Sequence, residues 1–151
     1  MAQRTQRAQN RRQMQPLAIR LRHTRKRLVA ESETEVQAAL AAAEREADRI
    51  GKTGLVDFQA ANGSTLSMLV GDAETMLSWR YDGDTEPRFL SLGDPDARGT
   101  VAISSDFSDR IVAPRWALIP RADGLAALDE FAKSNDIPEC VGWAPFEGPG
   151  Q

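Results

Sequence analysis

The sequence has one cysteine, Cys140, and one histidine, His23, among 151 residues. A single thiol closes no internal disulfide, so the chain carries no disulfide framework and a reducing cytoplasm is the expected compartment. With one histidine and one cysteine, nearly all common nucleophile and base pairs are excluded, and so are paired ligands at zinc spacing. The Gly-x-Ser-x-Gly elbow, the Walker phosphate loop and the HExxH helix are also missing. No run of about 18 apolar residues is present, so no membrane-spanning helix is expected. These absences read as a protein that is not an enzyme, with no catalytic residue, no metal site and no cofactor. Cys140 itself reads as a small apolar residue in a late strand, and His23 as a solvated side chain in an arginine-rich segment.

The charge is unevenly placed. Met1 to Arg27 holds nine Lys and Arg and no acid, which leaves ten bases against 22 acids from Leu28 onward, a formal charge of −12. The overall −3 therefore conceals a basic arm on an acidic domain. "MAQRTQRAQNRRQMQ" has too few branched apolar residues to offset its ordering entropy and reads as disordered. It has no apolar core of signal-peptide length and hardly any Ser for a transit peptide. The expected organisation is a basic, disordered tail over 1–27, one domain over 28–147 and a short flexible C-terminus over 148–151. "PLAIRLRHTRKRLVA" alternates weakly and holds one expected strand near Leu28 to Ala30.

Periodicity supplies the rest of the fold. Ser32 and Glu35 form a capping box, and Val36, Leu40, Ala43, Ala47 and Ile50 share one helical face that Gly51 ends. "LVDFQAANGSTLSMLV" alternates on both sides of Asn62-Gly63, the pattern of a hairpin whose Val56, Phe58, Ala60, Leu66, Met68 and Val70 face one core. "TMLSWRY", "RFLSL" and "TVAIS" read as further strands. Pro120 opens a second helix, with Leu125, Leu128, Phe131 and Ala132 turned inward and Asn135-Asp136 as its end. "ECVGW" returns as a last strand. The expected fold is α+β: an antiparallel sheet of about five or six strands, with two helices on one face.

Three features invite a functional reading. The acid pairs Asp82/Asp84 and Asp106/Asp109 have the residue types of a carboxylate-dependent hydrolase or a divalent-cation site, yet both lie beside turn residues and read as solvated loops. "WRYDGDTE" lacks the length and flanking helices of a calcium loop. The basic arm implies at most weak, salt-sensitive nucleic-acid binding, because no reading module follows it and the acidic domain repels the same ligand. The acidic domain itself suits a basic protein partner, whose cleft it is drawn to and can block.

"ALIPRADGLAALDEFAKSNDIPECVGW" resembles the C-terminal signature of an immunity-protein family from bacterial polymorphic toxin systems, whose genes often neighbour deaminase-type toxins. Ile119-Pro120, Leu125, Leu128, Phe131, Pro138 and Trp143 occupy the pattern's places. "LSMLVGD", "LSWRY" and "FLSLGD" are similar to its sheet segment, including Gly71-Asp72 and Gly93-Asp94. Where the family usually has Gly after the helix this chain has Asn135, which also tolerates left-handed φ. "SSDFSDRIVAPRW" departs from the pattern. The resemblance implies a cytoplasmic antitoxin that binds a cognate toxin domain, such as a nucleic-acid deaminase, and occludes its active site. Charge then selects Asp82, Asp84, Glu86, Asp94, Asp96, Asp106 and Asp109 as candidate contacts, with Trp79 or Trp116 as aromatic anchors. The alternative reading is a nucleic-acid-associated accessory protein that works through its Arg-rich arm.

Overall fold

The computed structural model of the chain describes residues 14–21, 26–51, 53–70, 73–104 and 110–149. In "LAIRL" Leu17, Ile19 and Leu21 alternate with Ala18 and Arg20, and this period of two makes strand β1 (Leu17–Leu21), whose apolar residues are buried and whose Ala18 and Arg20 are exposed. β2 (Lys26–Ala30) is the edge strand beside it, and β1 pairs on its other side with β3 (Gly54–Gln59). β4 (Thr65–Val70), β6 (Leu77–Arg80), β7 (Phe89–Leu92) and β11 (Gly142–Pro145) continue an antiparallel seven-stranded sheet of order β11-β7-β6-β4-β3-β1-β2. Two short antiparallel pairs flank it: β5 (Glu74–Thr75) with β10 (Ile119–Pro120), and β8 (Thr100–Ser104) with β9 (Arg110–Pro114). A single 3-10 turn, Arg115–Ala117, joins β9 to β10.

The α+β class, antiparallel sheet and two helices expected from the sequence are present, with more strands than expected. The largest difference lies at the N-terminal side. The segment assigned to a tail through Arg27 contributes an interior strand, with Leu17 0% and Ile19 1% exposed. Burying such a side chain is worth roughly 1.5–3 kcal/mol, which a basic neighbourhood does not cancel when the arginines point the other way. Residues 1–13 and His23 lie outside the described residues.

α1 (Glu33–Ile50) and α2 (Arg121–Ser134) cover one face of the sheet. Ser32 Oγ accepts the Glu35 N–H at 3.2 Å, as expected, but the Glu35 carboxylate reaches back to the Glu31 N–H at 3.3 Å instead of that of Ser32. α1 buries Val36, Ala39, Leu40, Ala43 and Ala47 and ends at Gly51 with φ +69°. α2 ends at Asn135, whose φ of +56° is the left-handed C-cap foreseen for it. Arg121 pairs with Glu44 near the C-terminal half of α1, and Lys133 with Glu33 at its start, so the helices run antiparallel. Val56, Phe58, Leu66, Met68, Leu77 and Trp79 meet them in the main core. Gly124 permits that approach, because a Cβ there would stand 2.5 Å from Thr75 Cγ2.

Strand residues of the opposite parity face away from the helices. Leu55, Leu69, Met76 and Leu90 form a second, smaller core with Ala113 of β9 and Ala117. The β3–β4 hairpin places Gly63 at φ +89°, whereas Asn62 keeps negative φ and uses its side chain to accept the Ser64 N–H at 2.9 Å. Cys140 is exposed and precedes the last strand, which begins at Gly142, rather than lying within it as expected.

Candidate functional site

One sheet face is sealed by the helices and part of the other by the β8–β9 pair; the outer face is exposed at Arg27 and Val29 of β2, Ala18 and Arg20 of β1 and Gln59 of β3, half-buried at Ser78 and Arg80, and buried at Asp57, Thr65 and Ser67. Strand register decides what lies there, because residues paired across strands point to the same side. Arg27 pairs with Arg20, Arg20 with Asp57, Asp57 with Ser67, Ser67 with Ser78 and Ser78 with Leu90. This row runs from basic to apolar across the sheet. The neighbouring row is Val29, Ala18, Gln59, Thr65 and Arg80.

The basic end of these rows forms a cleft of about 210 Å³ lined by Arg20, Arg27, Arg80, Asp57, Gln59 and Thr65, among others. Asp57 forms its buried floor, 6% exposed, and accepts the Ser67 hydroxyl at 2.5 Å, a short bond of the charge-assisted kind. Arg80 also borders a second, largely apolar groove of about 510 Å³, together with Leu55, Met76, Leu90, Val112 and Phe146. Thr85 and Pro87 of the β6–β7 loop close the groove's edge. Val112 and Phe146 are 55% and 43% exposed. The two depressions are therefore one surface, with an arginine end and an apolar end joined at Arg80.

The acidic residues chosen from sequence fall into separate places. Asp82, Asp84 and Glu86 lie in the β6–β7 loop, whereas Asp94 and Asp96 lie beyond the other end of β7. Asp106 and Asp109 lie outside the described residues. Asp84 is occupied locally: its carboxylate accepts the Tyr81 N–H at 3.0 Å and the Arg88 guanidinium at 2.8 Å. The Arg88 side chain first, and the Tyr81 amide second, hold its pKa below the ordinary carboxylate value. Asp94 is turned inward on its own loop and accepts the Asp96 N–H at 2.9 Å. Asp82 lies beside the β3–β4 hairpin, where a Cβ on Gly63 would meet its Cγ at 2.4 Å. Glu86 is exposed and shares a shallow depression with Asp84, Arg88 and Glu147. Glu147 escaped the sequence reading because it follows the last strand.

Neither tryptophan stands out from the surface as an anchor would. Trp79 is fully buried on the helix side, edge-on to Phe131. The same alternation that makes it part of β6 turns it inward, into the main core. Trp116 is half-buried against the smaller core, and its carbonyl accepts the Gly93 N–H at 2.6 Å. That approach requires glycine, since a Cβ at Gly93 would stand 2.0 Å from the Leu118 carbonyl oxygen. Gly93-Asp94 in "FLSLGD" is thus a packing feature of the fold, while Gly71-Asp72 lies outside the described residues.

The site residues that sequence reasoning missed are Arg20, Arg27 and Arg80. Their signal is the opposite parity of strands whose apolar parity was already recognised in β3, β4 and β6. Among the described residues no three His, Cys, Asp or Glu side chains are grouped to hold a metal ion, and no helix is long and apolar enough to cross a membrane.

Comparison with known proteins agrees with the resemblance in the C-terminal signature. The family model described as immunity protein Imm1 matches residues 24–145, and the chain belongs to that family. The match takes in every strand from β2 to β11 and both helices, and it begins after β1. No curated protein matches the chain.

Proposed function

We propose that this member of the Imm1 immunity family binds a cognate toxin domain and neutralises it by covering its active site. Family membership is the observation that carries the reading. It implies a toxin-neutralising role, and the finer statement is that the toxin is a nucleic-acid deaminase of the kind the sequence resemblance points to. The protein acts stoichiometrically in the cytoplasm, without a cofactor or chemistry of its own.

Charge supports the reading. A domain with 22 acids against ten bases from Leu28 onward is drawn to the positive cleft of an enzyme that works on nucleic acid. Asp82 and Glu86 are exposed on the β6–β7 loop and serve this steering, while Asp84 spends its charge on Arg88. Rim charges of this sort set the association rate and its salt dependence more than the final affinity.

The test is co-expression of the toxin domain encoded beside this chain's gene, with and without the protein, followed by co-purification. Survival of the host with a stable stoichiometric complex is the expected result. Death of the host and no complex would refute the reading, and deletion of residues 1–13 with nucleic-acid binding as readout would then examine the Arg-rich arm.

A further inference from the structure

We infer that the outer sheet face is the gripping surface for the toxin, and that it takes an acidic segment: a carboxylate between Arg20, Arg27 and Arg80, with a neighbouring apolar side chain in the adjoining groove. The inference rests on the immunity reading and deepens it by naming the surface and the chemistry of the segment that fits it.

Like charges directly opposite each other weaken a strand pair. Arg20 and Arg27 are such a pair, and Arg80 lines the same cleft. Among the described residues that line the cleft, three are arginines and one, Asp57, is a carboxylate. In a domain that is otherwise strongly acidic, this concentration of positive charge is a local reversal. An arginine fork binds a carboxylate through two parallel N–H bonds, which gives direction as well as attraction. The apolar groove begins at Arg80, and its exposed Val112 and Phe146 are the side chains that a partner would cover.

A nucleic acid fits the surface less well. Bases are held by stacking on aromatic rings, and none of the described residues lining the arginine cleft is aromatic. Glu86 in the adjacent loop would face a phosphate chain with like charge. A short acidic protein segment meets Glu86 only at the rim, where solvent screens it.

The experiment measures affinity by calorimetry for the toxin domain encoded beside the gene, using the full chain and the variants Arg20→Glu, Arg80→Glu, the milder Arg20→Gln/Arg80→Gln pair, and Glu86→Lys as a rim control. A dT12 oligonucleotide is titrated in parallel, and thermal melts confirm that each variant is folded. The expected result is a loss of about tenfold or more for each charge reversal and a smaller loss for the Gln pair, with Glu86→Lys changing the affinity less than about threefold. A smaller loss for the folded reversals would overturn the inference while leaving the immunity role intact. Competition between dT12 and toxin, abolished by the arginine variants, would also overturn it by assigning the cleft to nucleic acid. No binding of toxin by the unaltered chain would remove the immunity reading, and this inference with it.

Discussion

The indole of Trp79 on β6 meets the ring of Phe131 on α2 edge-on, with centroids 5.4 Å apart and planes at 88°. Both rings are fully buried, so this pair joins the sheet to the C-terminal helix at the centre of the main core. Phe131→Ala and Trp79→Ala each remove a large side chain from a place with little freedom to collapse, and each is expected to cost about 3–5 kcal/mol in urea unfolding. A double-mutant cycle should return a coupling of roughly 0.5–1.5 kcal/mol for the ring contact. If Trp79→Ala left stability unchanged and weakened only toxin binding, its placement in the core would be refuted.

Asn135 gives a sharper test of backbone conformation. Its left-handed φ of +56° ends α2, and its carbonyl accepts the Asn62 side-chain N–H at 3.0 Å, a bond that survives any side chain at this position. Asn135 Oδ1 is buried without a partner among the described residues. Asn135→Gly should therefore be neutral or stabilising by up to about 1 kcal/mol, and Asn135→Ala should cost roughly 1–2 kcal/mol. Equal melting temperatures for the two variants would contradict the account.

How much of this could be read beforehand depends on which parity of each strand carried the signal. Val56, Phe58, Leu66, Met68, Leu77, Leu128 and Phe131 were legible because apolar residues repeat at strand or helix spacing, and all of them lie in the main core. β1 has the same alternation, but its outward Arg20 and the surrounding arginines made a strand resemble a tail. The arginine cleft was hidden for a different reason: Arg20, Arg27 and Arg80 are distant in sequence and meet only through the order β2-β1-β3-β4-β6, which no local pattern encodes. The inward turn of Trp79 follows from its parity with Leu77 on β6, a signal that its residue type alone does not carry.

The β6–β7 loop should respond to acid. Asp84 has its pKa lowered, chiefly by the Arg88 hydrogen bond and then by the Tyr81 amide, relative to an ordinary value of 3.8. A carboxyl group with a depressed folded-state pKa contributes stability above its unfolded value and loses it as pH falls through the folded one. The Tyr81 amide resonance should accordingly hold its neutral-pH position down to about pH 4 and move only below it. Asp84→Asn should remove that acid transition. A Tyr81 shift centred above the ordinary Asp value would show that the ion pair is not formed in solution.

Cys140 is exposed yet should alkylate slowly. Partial burial and then the adjacent Glu130 carboxylate raise its thiol pKa above the ordinary 9.0, so the reactive thiolate is scarcer than in a free cysteine at the same pH. Glu130 is held there because it accepts the Cys140 N–H at 3.2 Å as well as the Glu139 N–H. Iodoacetamide at pH 8 should react several-fold more slowly with the folded chain than with the chain in denaturant, and Glu130→Gln should narrow the gap. Equal rates in the folded and unfolded chains would overturn this assignment.

The position of β1 makes truncation a decisive experiment. The family match begins at residue 24, which would leave β2 and β3 without the strand that separates them. Removing Leu17, Ile19 and Leu21 forfeits roughly 1.5–3 kcal/mol for each buried side chain. That sum is comparable with the entire stability of an ordinary domain, about 5–15 kcal/mol. It also opens the backbone edge of β3 to intermolecular pairing. Deletion of residues 1–13 is expected to leave the circular dichroism spectrum and the melting temperature close to those of the full chain. Deletion of residues 1–23 or 1–27 should yield a chain that melts broadly or aggregates on size-exclusion chromatography. A monomeric, cooperatively melting 24–151 variant would show that β1 is dispensable, and the arginine cleft that depends on Arg20 would then lose its scaffold without loss of the fold.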